Sequence, residues 1–219
     1  MLSLLENNFD IIILNFLWSI YSMIQMMQES NTEVRRETQE TKIRVNLELY
    51  GTGISKINTG VPFLDHMLIS FAKHSHIDLE VECVGDTHID DHHSVEDIGI
   101  VLGQALNKVI YPVNDIERFG SATILMDEAS VSCDIDLSNR AYLVFELPIE
   151  GKVGNFDVEL VEEFFKALTF NMPLTLHLVA NRGHNKHHLI EASFKALALS
   201  FRRAVSKNNS GTPSTKGML

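Results

Sequence analysis

Two stretches of this sequence carry one pattern, His92-His93-x-x-Glu96 and His187-His188-x-x-Glu191. Residues four apart share a helix face, so His92 with Glu96, and His187 with Glu191, can grip one ion from one side. The adjacent His93 and His188 are turned about 100° away by the helical period, which directs each to a different ion. Two copies therefore predict two metal sites with exchanged ligands. One holds His92, Glu96 and His188; the other holds His187, Glu191 and His93. Paired histidines at a helix start are commonly plain solvated residues, but a second copy with the same Glu four residues on argues for ligation. Imidazole and carboxylate without thiolate suit manganese, iron or zinc. Asp90 and Asp91, beside the first copy, are candidate acceptors for orienting the rings. All ten histidines fall between His66 and His188. His74, His76, His88, His177 and His184 read as strand or loop residues. Cys83 and Cys133 read as core, since no C-x-x-C pair marks a disulfide framework or a zinc ribbon.

The elements that must position these ligands follow from periodicity. Residues 42–50 alternate polar and apolar, as a half-buried strand does, and Gly51 and Gly53 end the run. Residues 62–74 open with proline and space Phe63, Met67, Leu68 and Phe71 for a helix. Residues 77–83 read as a strand and 92–110 as a long helix. Beyond Tyr111-Pro112 come strands over 121–137 and 141–147, a helix over 157–171, a strand over 174–180 and a final helix over 187–205. This order is an internal duplication. Residues 63–81 align with 160–178 at an offset of 97, which sets His66 on Glu163; residues 92–97 align with 187–192 at an offset of 95. His66 and Glu163 are thus the natural fourth ligands, His66 with His187 and Glu163 with His92. The expected fold is α+β, two similar strand-helix-strand-helix halves of the ferredoxin-like, split βαβ type, with helices on one face of each sheet. The halves span 35–113 and 114–206, with a tail over 207–219 that closes on substrate.

Residues 1–34 stand apart. The segment 11–28 is uncharged, yet it is short and diluted by Asn15, Ser19, Ser22, Gln25 and Gln28 for a membrane span, which needs about 20 predominantly apolar residues. Acidic Glu6 and Asp10 precede it, unlike a secretory signal. A buried or interfacial helix and a weak anchor remain open; the preferred reading is a leader read in frame from an upstream start, with Met26 and Met27 just before the globular part. The chain of 219 residues carries 18 Lys and Arg against 29 Asp and Glu, a net charge of −11. That balance opposes non-specific nucleic-acid binding, and with the scarce cysteines it favours the cytoplasm.

Arg118, Arg140, Lys195 and Lys216 are the basic candidates for holding a phosphate, arginine by bidentate contact. The hydroxyl-rich GTPSTKG tail (211–217) is a candidate to close over the anion. Arg202 and Arg203 read as partners of the last helix's C-terminal dipole.

The motifs TGVPFLDHML (59–68), DDHHSVEDIGI (90–100), RFG (118–120), HNKHHLIEASFKA (184–196) and PSTKG (213–217) resemble those of the imidazoleglycerol-phosphate dehydratase family, over roughly residues 35–218. The resemblance implies two manganese ions per active site, other divalent metals being possible, and a cage of twenty-four subunits with sites at subunit contacts. Its ligand sets coincide with those above: His66, His93, His187 and Glu191 for one ion; His92, Glu96, Glu163 and His188 for the other. Many relatives have histidine where this chain has Glu163. The implied reaction removes water from D-erythro-imidazoleglycerol phosphate to give imidazole acetol phosphate, in histidine biosynthesis. The proton removed lies beside no carbonyl, so the substrate's imidazole must drive loss of the hydroxyl. The resemblance marks Glu40 as general acid/base, where residue pattern alone reads a solvated strand-edge carboxylate. It matches Arg118, Arg140, Ser214, Thr215 and Lys216 to phosphate-holding positions, with Lys195 in the same stretch. Two other classes fit the ligands: a dinuclear phosphoester hydrolase, which would release inorganic phosphate, and a metal-storage cage, which would need neither Glu40 nor the basic tail.

Overall fold

Alternation decides the first sheet: along β2 (Thr41–Glu48), Thr41, Ile43, Val45 and Leu47 are buried while Lys42 is exposed. A computed structural model of the chain describes residues 17–18, 30–111, 115–208 and 210–214. Most of the segment read as a leader lies outside the described residues. So do Thr215 and Lys216. Among the described residues no helix is long and apolar enough to cross a membrane.

The first half runs β1 (Asn31–Glu37), β2, β3 (Ser55–Asn58), α1 (Pro62–Ser75), β4 (Asp78–Gly85) and α2 (His92–Ile110). The second runs β5 (Phe119–Met126), β6 (Ala129–Asp136), β7 (Tyr142–Glu146), β8 (Lys152–Val153), β9 (Phe156–Asp157), α3 (Leu160–Asn171), β10 (Thr175–Arg182) and α4 (Lys186–Ala204). The sheet orders are β1-β2-β4-β3 and β5-β6-β10-β7. In each, the last pair is parallel and the others antiparallel. The duplicated α+β architecture is as expected. The split arrangement is not: β3 and β4, like β7 and β10, are direct neighbours, so each helical crossover returns beside the strand it left.

Strand registers repeat between the halves, apart from a shift in β10 between Ala180 and Arg182. Asn31 faces Glu48, which faces Asp78; Phe119 faces Asp136, which faces Thr175. The offset between halves is 88 up to β3 and β7 (Glu48 to Asp136), then 97 (Asp78 to Thr175). The jump falls where the β8–β9 hairpin is inserted, and that hairpin also delays the helix expected from 157, which begins at Leu160.

Each pair of helices covers one face of its own sheet, and the halves join through the helices, α2 on α3 and α1 on α4. Phe71 on α1 meets Phe201 on α4 at 6.3 Å between centroids, and Phe165 on α3 meets Phe194 on α4 at 4.9 Å. Burying one such side chain contributes about 1.5–3 kcal/mol. The outer face of the first sheet is instead a lattice of ion pairs: Arg44 reaches Glu33, Glu80 and Glu82, and Lys56 reaches Glu80 and Glu82. Exposed pairs contribute about 0–1 kcal/mol each. The inter-helix core therefore holds the fold, and the lattice keeps that face polar.

Candidate metal centre

The helix starts are fixed by local capping. Asn185 Oδ1 accepts from the backbone N–H of His187 and His188, and Asp90 Oδ1 accepts from that of His92 at 2.8 Å. Each cap satisfies N–H groups that have no partner within the helix, and so places each His-His pair in a first turn. Within each pair the rings diverge as the period requires. Their centroids lie 6.3 Å apart, with planes at 80° for His92 and His93 and 85° for His187 and His188.

Packing of α1 on α4 brings His66 to His187 and Glu191. Glu191 Oε2 lies 3.1 Å from His187 Nε2 and 3.4 Å from His66 Nε2. One donor atom from each of the three lies within 4.8 Å of the others. The Phe63 ring meets the His187 ring edge-on at 5.3 Å and restrains it. Glu191 is nearly buried, and its Oε1 accepts from Lys195 Nζ at 2.7 Å. Burial pushes its carboxyl up, but the hydrogen bond and charge of Lys195, with the two imidazoles, bring it below its ordinary value. An ionised carboxylate facing two imidazoles fits a divalent cation of the manganese, iron or zinc kind. No thiolate competes: burial pushes Cys83 up to about 11 and Cys133 to about 12, as core residues.

The other predicted ligands lie outside that cluster. His92 Nε2 and Glu96 Oε2 form a pair at 3.6 Å. Glu163, in the first turn of α3, accepts from Lys166 at 3.0 Å. A Cβ on Gly99 would meet the carbonyl of Phe164, the residue after Glu163, at 2.8 Å. The α2–α3 crossing thus brings Glu163 to the end of α2 that carries His92 and Glu96. His93 turns to Asp86, which meets its Nδ1 at 3.0 Å, and to Glu40, whose Oε1 is 3.8 Å from its Nε2. The hydrogen bond to Asp86 raises the His93 pKa. His188 Nδ1 meets Glu128 Oε2 at 2.8 Å. That bond, followed by backbone N–H groups, holds the Glu128 carboxyl down at about 2. Asp86 and Glu128, not Asp90 and Asp91, are therefore the acceptors that orient the second histidine of each pair; Asp90 acts as a cap instead. Sequence reasoning missed both, although Glu128 occupies the same hairpin turn as Glu40 at the strand offset of 88.

Arg118 lies at the start of β5 in left-handed backbone (φ 66°). Its Nε and Nη2 donate to Asp136 at 2.7 and 3.1 Å, and Nη1 donates to the Pro213 carbonyl at 2.8 Å. Among the described residues these contacts use three of its five N–H donors, which leaves two. Arg140 is exposed on the β6–β7 loop, and Ser214 is half-buried. Lys195 points at the metal ligands through Glu191. A cavity of about 460 Å³ on the outer face of the first sheet is lined by none of the predicted site residues.

Fold and site define a duplicated α+β protein with a candidate His/Glu cation centre built from the N-terminal turns of two packed helices. The family model described as imidazoleglycerol-phosphate dehydratase matches residues 59–201. The Sulfurovum sp. (strain NBC37-1) protein of that name is 72% identical over 188 residues, covering 85% of this chain and 99% of its own. The one from Sulfurimonas denitrificans is 64% identical over 185 residues, covering 84% and 97%. The crystal structure of the Staphylococcus aureus subsp. aureus N315 enzyme is 41% identical with a TM-score of 0.75, covering 81% of this chain and 99% of that one. The Pyrococcus furiosus structure, in complex with (S)-C348, is 36% identical with a TM-score of 0.74, covering 85% and 100%. The chain belongs to the imidazoleglycerol-phosphate dehydratase family.

Proposed function

We propose that this chain dehydrates D-erythro-imidazoleglycerol phosphate to imidazole acetol phosphate in histidine biosynthesis, as a manganese-dependent hydro-lyase. The observation that carries the reading is the His66, His187 and Glu191 cluster, formed by motifs that lie within the family-matched residues. His93 completes that set, and His92, Glu96, Glu163 and His188 form the second, with two manganese ions per active site. Within one chain His93 and His188 are each held at Nδ1 by a carboxylate, which leaves Nε2 to ligate. Their separation from the His66 cluster supports sites completed by a second copy, in a large homo-oligomer of twenty-four chains by family resemblance.

Held by these histidines and glutamates, a divalent cation would make the substrate's imidazole N–H more acidic, since positive charge stabilises the anion. Glu40 carries the carbon-bound proton, a reading supported by its carboxylate lying 3.8 Å from His93 Nε2. Arg118, Arg140, Lys195, Ser214, Thr215 and Lys216 hold the phosphate. The two spare donors of Arg118 suit a pair of phosphate oxygens. Lys195 also keeps Glu191 ionised and facing the imidazoles. The biosynthetic role and the two free cysteines support a cytoplasmic place.

The test is turnover of imidazoleglycerol phosphate by purified protein, stripped of metal and then supplied with manganese. Activity that vanishes and returns, with phosphate retained on a ketone, is expected. Release of inorganic phosphate, or full rate after stripping, overturns the reading.

A further inference from the structure

The two halves treat one duplicated carboxylate differently. The β1–β2 turn and the β5–β6 turn coincide at an offset of 88, since Glu37 pairs with Lys42 and Leu125 with Ser130. That offset sets Glu40 on Glu128. Each turn lies beside the second histidine of its half's pair, Glu40 beside His93 and Glu128 beside His188. Their contacts differ. Glu40 has an exposed side chain and stands 3.8 Å from the outward Nε2 of His93. Glu128 grips the inward Nδ1 of His188 at 2.8 Å, and its other oxygen accepts from the backbone N–H of Asn185 at 2.8 Å and of His184 at 3.3 Å.

The cause is loop length. Six residues, 86–91, connect β4 to α2, whereas only 183–185 connect β10 to α4. The longer loop supplies Asp86, which takes Nδ1 of His93 and leaves Glu40 free. The shorter loop, Gly183-His184-Asn185, has no carboxylate, so the hairpin glutamate takes that place.

We infer that Glu128 is a positioning residue for manganese binding: by accepting from Nδ1–H of His188 it fixes the tautomer whose Nε2 lone pair is free for the ion. A carboxylate only accepts, so the ring nitrogen facing it must carry the proton. Duplication has thus divided one hairpin position into a reacting carboxylate, Glu40, and an orienting one, Glu128. The inference rests on the proposed ligand role of His188, and the experiment separates the two.

Glu128→Gln is nearly isosteric. Its amide oxygen still accepts from Asn185 and His184, while its NH₂ faces Nδ1 and selects the opposite tautomer. Manganese affinity and stoichiometry are measured by titrating stripped protein and reading free Mn²⁺ by electron paramagnetic resonance. Glu128→Gln should weaken one of the two manganese sites about 10–100-fold, while Glu40→Gln leaves both unchanged. His188→Ala should weaken the same site, and adding Glu128→Gln to it should cost no further affinity, because the glutamine acts only through the ring. Normal affinity in Glu128→Gln beside a loss in His188→Ala overturns the inference alone. Normal affinity in both overturns the ligand role with it. An additive loss in the double variant makes Glu128 a support of the loop rather than of the histidine, and also overturns the inference.

Discussion

Glu40 is an exposed carboxylate on a turn that is otherwise tied down. Asp97, on α2 and 6% exposed, accepts from Thr41 Oγ1 at 2.5 Å and from Arg36 Nε and Nη2 at 3.1 and 2.9 Å. Thr38 Oγ1 accepts from the backbone N–H of Glu40 and Thr41 at 3.1 and 3.0 Å. The turn is thus fixed to the helix that bears His92 and His93, while the Glu40 side chain stays 54% exposed. Glu40→Gln keeps the size and the turn but removes the proposed proton carrier. Its kcat should fall by about 10²–10⁴-fold, the usual contribution of a positioned acid/base, with metal content unchanged. Steady-state rates beside metal analysis check this, and an undiminished kcat removes Glu40 from the chemistry. The His92–Glu96 and His187–Glu191 pairs were legible at this scale because i,i+4 spacing is local. The role of Glu40 was not, since nothing near it in sequence distinguishes it from a solvated edge residue. Asp86, Asp97 and Glu128 escaped for a related reason: their partners lie 7, 56 and 60 residues away.

Among the elements, α2 crosses α3 closely because Gly99 and Gly103 face it. A Cβ on Gly103 would meet the Leu168 carbonyl at 2.7 Å and Asn171 Cβ at 2.9 Å. Glycine inside a helix costs about 0.8–1 kcal/mol relative to alanine, so close approach explains a residue that helix propensity opposes. Gly103→Val gains part of that propensity but forces the helices apart, an overpacking that typically costs about 1–3 kcal/mol. Sterics should win, with a net loss of about 1–2 kcal/mol, read as a lower urea midpoint at unchanged m-value; an unchanged midpoint would show that the crossing tolerates the added methyls. The helices and inner strands were legible because each buries one regular face. β1 and β3 were not. Of β1 only Val34 is buried, and β3 is four residues with none buried, so edge strands leave little alternation to read. The β8–β9 hairpin has two residues per strand and no period at all.

For the whole molecule, duplication distributes the proposed ligands so that one chain gathers His66, His187 and Glu191 and keeps His93 and His188 elsewhere. If each ion takes its last ligand from a second copy, metal binding and association are one equilibrium. An ion bound only by the folded state stabilises it by about 2.7 kcal/mol when its concentration is 100 times Kd. Stripping the protein should therefore lower the thermal midpoint, and should also make that midpoint depend on protein concentration as copies separate. Light scattering after chelation is expected to give smaller particles, which return to full size with manganese. His92→Ala and His187→Ala should each reproduce part of the loss, since each removes a different ion's ligand from every chain. Should the particle keep its size and concentration-independent midpoint when metal-free, the ions do not bridge copies, and the exchange of His93 and His188 between sites would have to occur within one chain. The separate placement of these histidines in the fold favours the first outcome, because α1, α4 and the α2–α3 pair are locked by one continuous hydrophobic core, and closing the gap within one chain would have to break it.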